Sequence, residues 1–157
     1  MALINKDQEY QNQEKWLDKV QKLKDYNIFR DKVNFWAEQR GCIHGPYEIV
    51  FDNELGWCVD VDGDVGFRGL TIRKIPFQFR NVSGDFSIYV CTNLTSLEGC
   101  PNYIDGCFSC IGCSQIYSLD FCPKEVSGDF HFHHNGLDDI DEQDVKDVCN
   151  IEGDIIV

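Results

Sequence analysis

Five short segments of this chain align on a glycine: VDGDV (61–65), VSGDF (82–86), IDGCF (104–108), VSGDF (126–130) and IEGDI (151–155). Their glycines, Gly63, Gly84, Gly106, Gly128 and Gly153, are spaced by 21, 22, 22 and 25 residues. A period of twenty-odd residues is the signature of a solenoid. One such unit cannot bury its apolar edge alone, so the units must stack.

The rest of each unit repeats as well. The runs FSIYV, FSCIG and FHFHH alternate in polarity. Alternation predicts short strands with Phe86 and Ile88, Phe108 and Cys110, and Phe130 and Phe132 turned inward. Five residues after each leading Phe stands Cys91, Cys113 or Asn135, where the chain leaves the strand. Leu94, Ile116 and Leu137 come next, then Leu97, Leu119 and Ile140, then Cys100-Pro101 and Cys122-Pro123. Written as one pattern, this is the leucine-rich-repeat signature.

The repeat also places the cysteines, four of which crowd into residues 94–115. Cys110 is an inward strand residue, Cys91 and Cys113 are turn residues, and Cys100 and Cys122 share one repeat position. Cys107 stands where the other units carry Asp85 and Asp129. Cys107 and Cys110 are an odd number of residues apart on a strand and face opposite sides, so they do not converge on a tetrahedral metal. No metal, cofactor or catalytic residue is expected. Asp60, Asp62 and Asp64 suggest a calcium loop, but Val65 and Thr71 stand where an EF-hand needs Gly and Glu. Phosphate-binding glycine motifs are absent.

Ahead of the repeats, Trp16, Val20 and Leu23, then Phe29, Val33 and Trp36, recur at helical spacing. The pattern predicts helix over residues 9–41, broken at Tyr26-Asn27 and stopped at Gly41. Residues 1–45 are expected to cap the open end of the stack, with residues 46–157 forming the solenoid in one compact unit. Residues 45–65 read as a hairpin or first irregular repeat. The fold class is therefore α+β: an N-terminal helical cap, then a short leucine-rich-repeat-like solenoid with a parallel sheet of about five short strands.

The segments VDVDGDVGFRGLTIRKIPFQFRNVSGDF, LTSLEGCP and CPKEVSGDF resemble the leucine-rich-type repeat proteins of tailed bacteriophages, over roughly residues 47–157. IYVCTN and HFHHNG replace the usual small polar strand ends. The resemblance implies a phage-encoded protein, in a family of mostly unassigned function, acting in the cytoplasm of the infected bacterium on a host protein such as a defence effector.

Stacking sets Arg68, Tyr89, Ile111 and His133 in one outward column about 4.8 Å apart, with Gly66, Ser87, Ser109 and His131 beside it. Exposed Tyr and Ile beside small residues suit a protein-binding face, unless the N-terminal helices cover it. Net charge is −13. Residues 81–157 hold fourteen acidic and two basic residues, which excludes direct binding to nucleic acid or an anionic membrane through that half. The acidic stretch Asp138, Asp139, Asp141 and Glu142, continued by Asp144 and Asp147, is the second candidate contact. It could imitate a row of DNA phosphates. The third alternative is a metal-dependent enzyme built on the cysteines and on His131, His133 and His134.

Overall fold

The computed structural model describes residues 6–137 and 139–157. Asp138, one of the candidate contact residues, lies outside them.

Each glycine of the repeat sits at a corner between two strands, so every unit contributes to two sheets. The front sheet is built from β4 (Asp64–Arg68), β6 (Phe86–Tyr89), β8 (Phe108–Ile111), β10 (Phe130–His133) and β12 (Ile155–Ile156), all parallel. That is the expected five-stranded parallel sheet. β1 (Ile43–His44) adds an antiparallel sixth strand at its edge. The back sheet was not anticipated. It runs β3 (Gly56–Val61), β5 (Phe79–Val82), β7 (Tyr103–Ile104), β9 (Glu125–Val126) and β11 (Asn150–Ile151), again parallel. β2 (Tyr47–Asp52) pairs antiparallel with β3, and this is the hairpin expected within residues 45–65.

The corner explains the glycines. The N–H of Gly84 donates to the Gly63 carbonyl at 3.0 Å, Gly106 to Gly84 at 3.2 Å and Gly128 to Gly106 at 3.0 Å. At this approach a side chain has no room. A Cβ on Gly106 would lie 2.5 Å from Asp85 Oδ1 and 2.6 Å from the Gly84 carbonyl carbon.

The core lies between the sheets. The front sheet supplies Val65, Phe67, Phe86, Ile88, Phe108, Cys110, Phe130 and Phe132; the back sheet supplies Val59, Val61, Phe79, Val82, Ile104 and Val126. Rings from the two sheets meet, with Phe79 5.4 Å from Phe86. Along the front sheet Phe86, Phe108 and Phe130 form a column, their ring centroids 6.3 and 4.9 Å apart. Leu94, Leu97 and Ile116, on the long return from front to back, close the remaining side of the core.

The N-terminal helix α1 (Lys6–Asn34) is continuous, which corrects the expected break at Tyr26-Asn27. Tyr26 stays in the helix because its ring packs on Trp57, 5.0 Å away. The irregularity comes later, as a π-helical turn at Phe35–Gln39, and Gly41 (φ +60°) ends the segment as expected. Phe29 meets Phe77, Trp36 meets Phe67, and Val33 is fully buried. The last third of the helix therefore closes the end of the stack and does not lie over the front sheet. No helix among the described residues is long and apolar enough to cross a membrane.

Two substitutions test this architecture. Phe108→Ala should cost about 3–5 kcal/mol in a denaturant titration, as a large residue removed from a packed column. Gly106→Ala should cost about 1–3 kcal/mol, because the new methyl meets backbone that cannot yield. A loss under about 0.5 kcal/mol for either would contradict the register.

Candidate functional site

Three columns run across the outer face of the front sheet. At the strand entrance stand Asp64, Asp85, Cys107, Asp129 and Asp154. Asp64, Asp85 and Asp129 each accept from the backbone of the next unit: Asp85 N–H donates to Asp64 Oδ1 at 2.8 Å, Cys107 to Asp85 at 2.8 Å and Asp154 to Asp129 at 2.9 Å. In the middle unit the Cys107 sulfur takes this role, accepting from Asp129 N–H at 3.4 Å. Cys107 is thus a member of the corner ladder, on the opposite side of β8 from the buried Cys110.

The middle column is Gly66, Ser87, Ser109 and His131, in register strand by strand. Its small residues leave a trough, and Ser109 is only 8% exposed although it points outward. The third column is Arg68, Tyr89, Ile111 and His133, again in direct register. Arg68 is exposed, and Tyr89, Ile111, His131 and His133 are half-buried. The face thus grades from carboxylates, through small residues, to a ridge of mixed aromatic, aliphatic and basic side chains.

A fourth position borders the ridge and gives no obvious signal in the sequence. Gly69, Val90, Gly112 and His134 follow the four strands, all with left-handed backbone at φ +62°, +55°, +70° and +56°. Glycine adopts this conformation freely, whereas a β-branched residue there is strained. Val90 is nonetheless 55% exposed, so core packing does not explain its presence. His134 stacks edge-on against His133 at 4.9 Å. Burial, then the neighbouring His134 and His131, push the His133 imidazole below its ordinary range. Its Nδ1 is buried without a hydrogen-bond partner among the described residues.

The acidic candidates sit on a different element. Asp139 is exposed with φ +60°. Asp141 caps the short helix α2 (Glu142–Lys146): its carboxylate accepts from Gln143 and Asp144 N–H, and Asp144 returns the bond to Asp141 N–H. Glu142 pairs with Lys146 at 2.9 Å. This part of the acidic stretch spends much of its hydrogen-bonding capacity on its own helix.

The aspartates of DVDGDV are also accounted for. Asp60 pairs with Arg80, Asp62 accepts from the Ser83 hydroxyl at 2.9 Å, and Asp64 enters the corner ladder. Among the described residues, no three His, Cys, Asp or Glu side chains are arranged to hold a metal ion. All nine cysteines are free, and seven are buried. Burial raises the Cys42 thiol to about 11 and Cys149 to about 12, and lifts Cys100 and Cys122 well above the usual range. Of the cysteines with a shift, Cys113 alone moves down, through the neighbouring Cys110 thiol, which rises correspondingly. In the turn ladder Asn135 accepts from Cys113 N–H at 2.9 Å and donates to the Cys110 carbonyl at 2.9 Å.

The back sheet carries an outward column of its own, Asp60, Asn81, Tyr103, Glu125 and Asn150. It borders a cleft of about 510 Å³ lined by Tyr47, Glu48, Asp60, Asp62, Tyr103 and Asp105. This column depends on the second sheet, to which the alternation pattern of the sequence does not point.

Comparison with known protein families, with curated proteins and with solved structures returns no match.

Two measurements follow. Val90→Gly should raise stability by up to about 1 kcal/mol, since left-handed strain of about 1–2 kcal/mol exceeds the roughly 0.5–1 kcal/mol entropic cost of a glycine. A loss of stability would mean that the Val90 side chain is held by packing. With an aromatic disulfide reagent under native conditions, half-exposed Cys107 should react first. The remaining thiols should react only as the chain unfolds, and rapid native labelling of all nine would contradict the burial.

Proposed function

We propose that this chain is a non-enzymatic, phage-encoded binding protein that captures a protein of the infected host, such as a defence effector, and blocks it in the cytoplasm. The capture surface is the outer face of the front sheet. The observation that carries this reading is the register of Arg68, Tyr89, Ile111 and His133 beside a trough of small residues. An aromatic and an aliphatic anchor on a rigid sheet can enter a partner's pockets at small entropic cost, and Arg68 and the histidines add directional polar contacts. The strained Val90 extends the same ridge: a conformation that costs stability and contributes no core packing is reasonable where the side chain has a partner to meet. The phage origin and the host target rest on the repeat resemblance.

The front face is favoured over mimicry of nucleic acid by the acidic stretch. Asp141 and Asp144 are engaged in the cap of α2 and Glu142 is paired, so fewer free charges remain to imitate a phosphate row.

The test begins with capture of the partner from a bacterial host lysate. Binding is then compared for Tyr89→Ala with His133→Ala, and for a variant with Asp138, Asp139, Asp141 and Glu142 changed to Asn or Gln. The front-face variant should lose at least about thirtyfold in affinity, corresponding to about 2 kcal/mol at an anchor, and the neutralised variant should bind within a few-fold of wild type. The opposite ranking, with binding that collapses as salt rises, would transfer the function to the acidic segment.

A further inference from the structure

Only part of α1 is accounted for by the cap. Residues 11–19 are exposed throughout, and between residues 20 and 28 only Val20 and Tyr26 are partly covered. The side chains that touch the solenoid, Tyr26, Phe29, Val33 and Trp36, lie along one line of the helix. At 3.6 residues per turn, Trp16, Val20 and Leu23 form an adjoining stripe toward the helix N-terminus, with Leu23 one turn before Tyr26 on the groove against Trp57 and Leu17 at the stripe's flank. Trp16 is 62% exposed, Leu17 54% and Leu23 55%. Helical stability in a protein comes mainly from packing of an apolar face. Lys22 alone of this stretch reaches the body of the protein as a cation over a ring, its Nζ 4.4 Å from the Phe51 centroid, and the exposed stripe beside it calls for a second surface.

We propose that this surface is a second copy of the chain, and that α1 pairs with α1 of the other copy, antiparallel, to form a dimer. Charge selects the occupant. Residues 6–34 hold seven basic and six acidic residues, a balance of +1, which leaves −14 for residues 35–157. Two copies meeting through their solenoids would oppose −14 with −14. Two copies meeting through α1 oppose nearly neutral surfaces with both signs interspersed, and hold the acidic bodies apart. Charge also selects the orientation. With the stripe shared in parallel, Lys19 falls beside Lys24 of the partner subunit. Antiparallel pairing sets Lys24 against Leu17 of the partner subunit, whose side chain its aliphatic stem can cover. Covering the stripe and these stems on both copies removes on the order of 1,000 Å² from water, the lower bound of a specific interface. The dimer is therefore expected to dissociate in the micromolar range.

Sedimentation equilibrium of the full chain, from about 1 to 200 μM, tests this, because affinities of interfaces near that area fall in this range. Wild type should show a twofold rise in mass with concentration. Trp16→Glu with Leu23→Glu, and separately Trp16→Ser with Leu23→Ser, should remain monomeric at every concentration. Both should keep the melting temperature of the solenoid, read with dilute wild type as the reference. A wild type that is monomeric at the highest concentration overturns the proposal and leaves the stripe to another occupant. A dimer that persists in both double variants overturns α1 as its interface.

Discussion

Everything in this molecule hangs on the stacked Gly–Asp corner. The glycine brings the backbone of one unit against the next, closer than any side chain allows, and the following residue hands a lone pair to the N–H one unit further on. These contacts hold consecutive units at strand spacing and in one register. The Phe column and the outer columns follow from that register. An error of one residue at a single corner would turn Phe108 outward and Ser109 into the core. The outer ridge is thus as rigid as the corners beneath it, and a protein that recognises a partner through fixed side chains gains from this.

The cysteines show how the interior tolerates unusual chemistry. Seven buried thiols in so small a chain look like a metal site when counted, yet Cys91, Cys100, Cys110 and Cys113 each fill a repeat position. Cys91 and Cys113 occupy the turn ladder at zero exposure, and Cys110 fills the inward slot that Phe67, Ile88 and Phe132 fill in other units. A thiol suits these places because it is small and apolar and its weak hydrogen bond is cheap to leave unmade. Burial raises most of these thiols above the range in which thiolate chemistry begins at neutral pH.

Much of the fold was legible because the period is short and the Phe, Leu and Gly positions each carry a large penalty for error. The back sheet escaped for a physical reason. In three units its strand is two residues long, Tyr103–Ile104, Glu125–Val126 and Asn150–Ile151, too short for alternation to show. Its inward column was in view all the same: Val61, Val82, Ile104, Val126 and Ile151 open the five aligned segments. The continuous α1 was misread because Asn27 resembles a cap, while the packing of Tyr26 on Trp57 that overrides it is a tertiary contact. Helix α2 had a local signal, Asp141 with Asp144 three residues on, hidden in a run read only as charge. Of the candidate site, the two outer columns follow from the repeat register. The left-handed Val90 could have been found only by aligning it with Gly69 and Gly112.

The entrance column also explains why a cysteine is tolerated in its middle unit. Five carboxylates at a spacing of about 4.8 Å would repel their neighbours by about 0.9 kcal/mol per adjacent pair in a water-like dielectric. Cys107 removes two of the four adjacent pairs, sparing somewhat under 2 kcal/mol. In exchange, Asp129 N–H donates to a sulfur at 3.4 Å where a carboxylate would accept more strongly, a difference of about 1–2 kcal/mol. The two effects nearly cancel, so the ladder continues through Cys107 with little change in stability. The charge pattern does change: Asp64 with Asp85 and Asp129 with Asp154 become two separated acidic pairs. Between them, the strip from Cys107 across Ser109 to Ile111 crosses the face without a charge. An apolar anchor from a partner could settle on that strip without desolvating a carboxylate, and Tyr89 and His133 stand on either side to hold it.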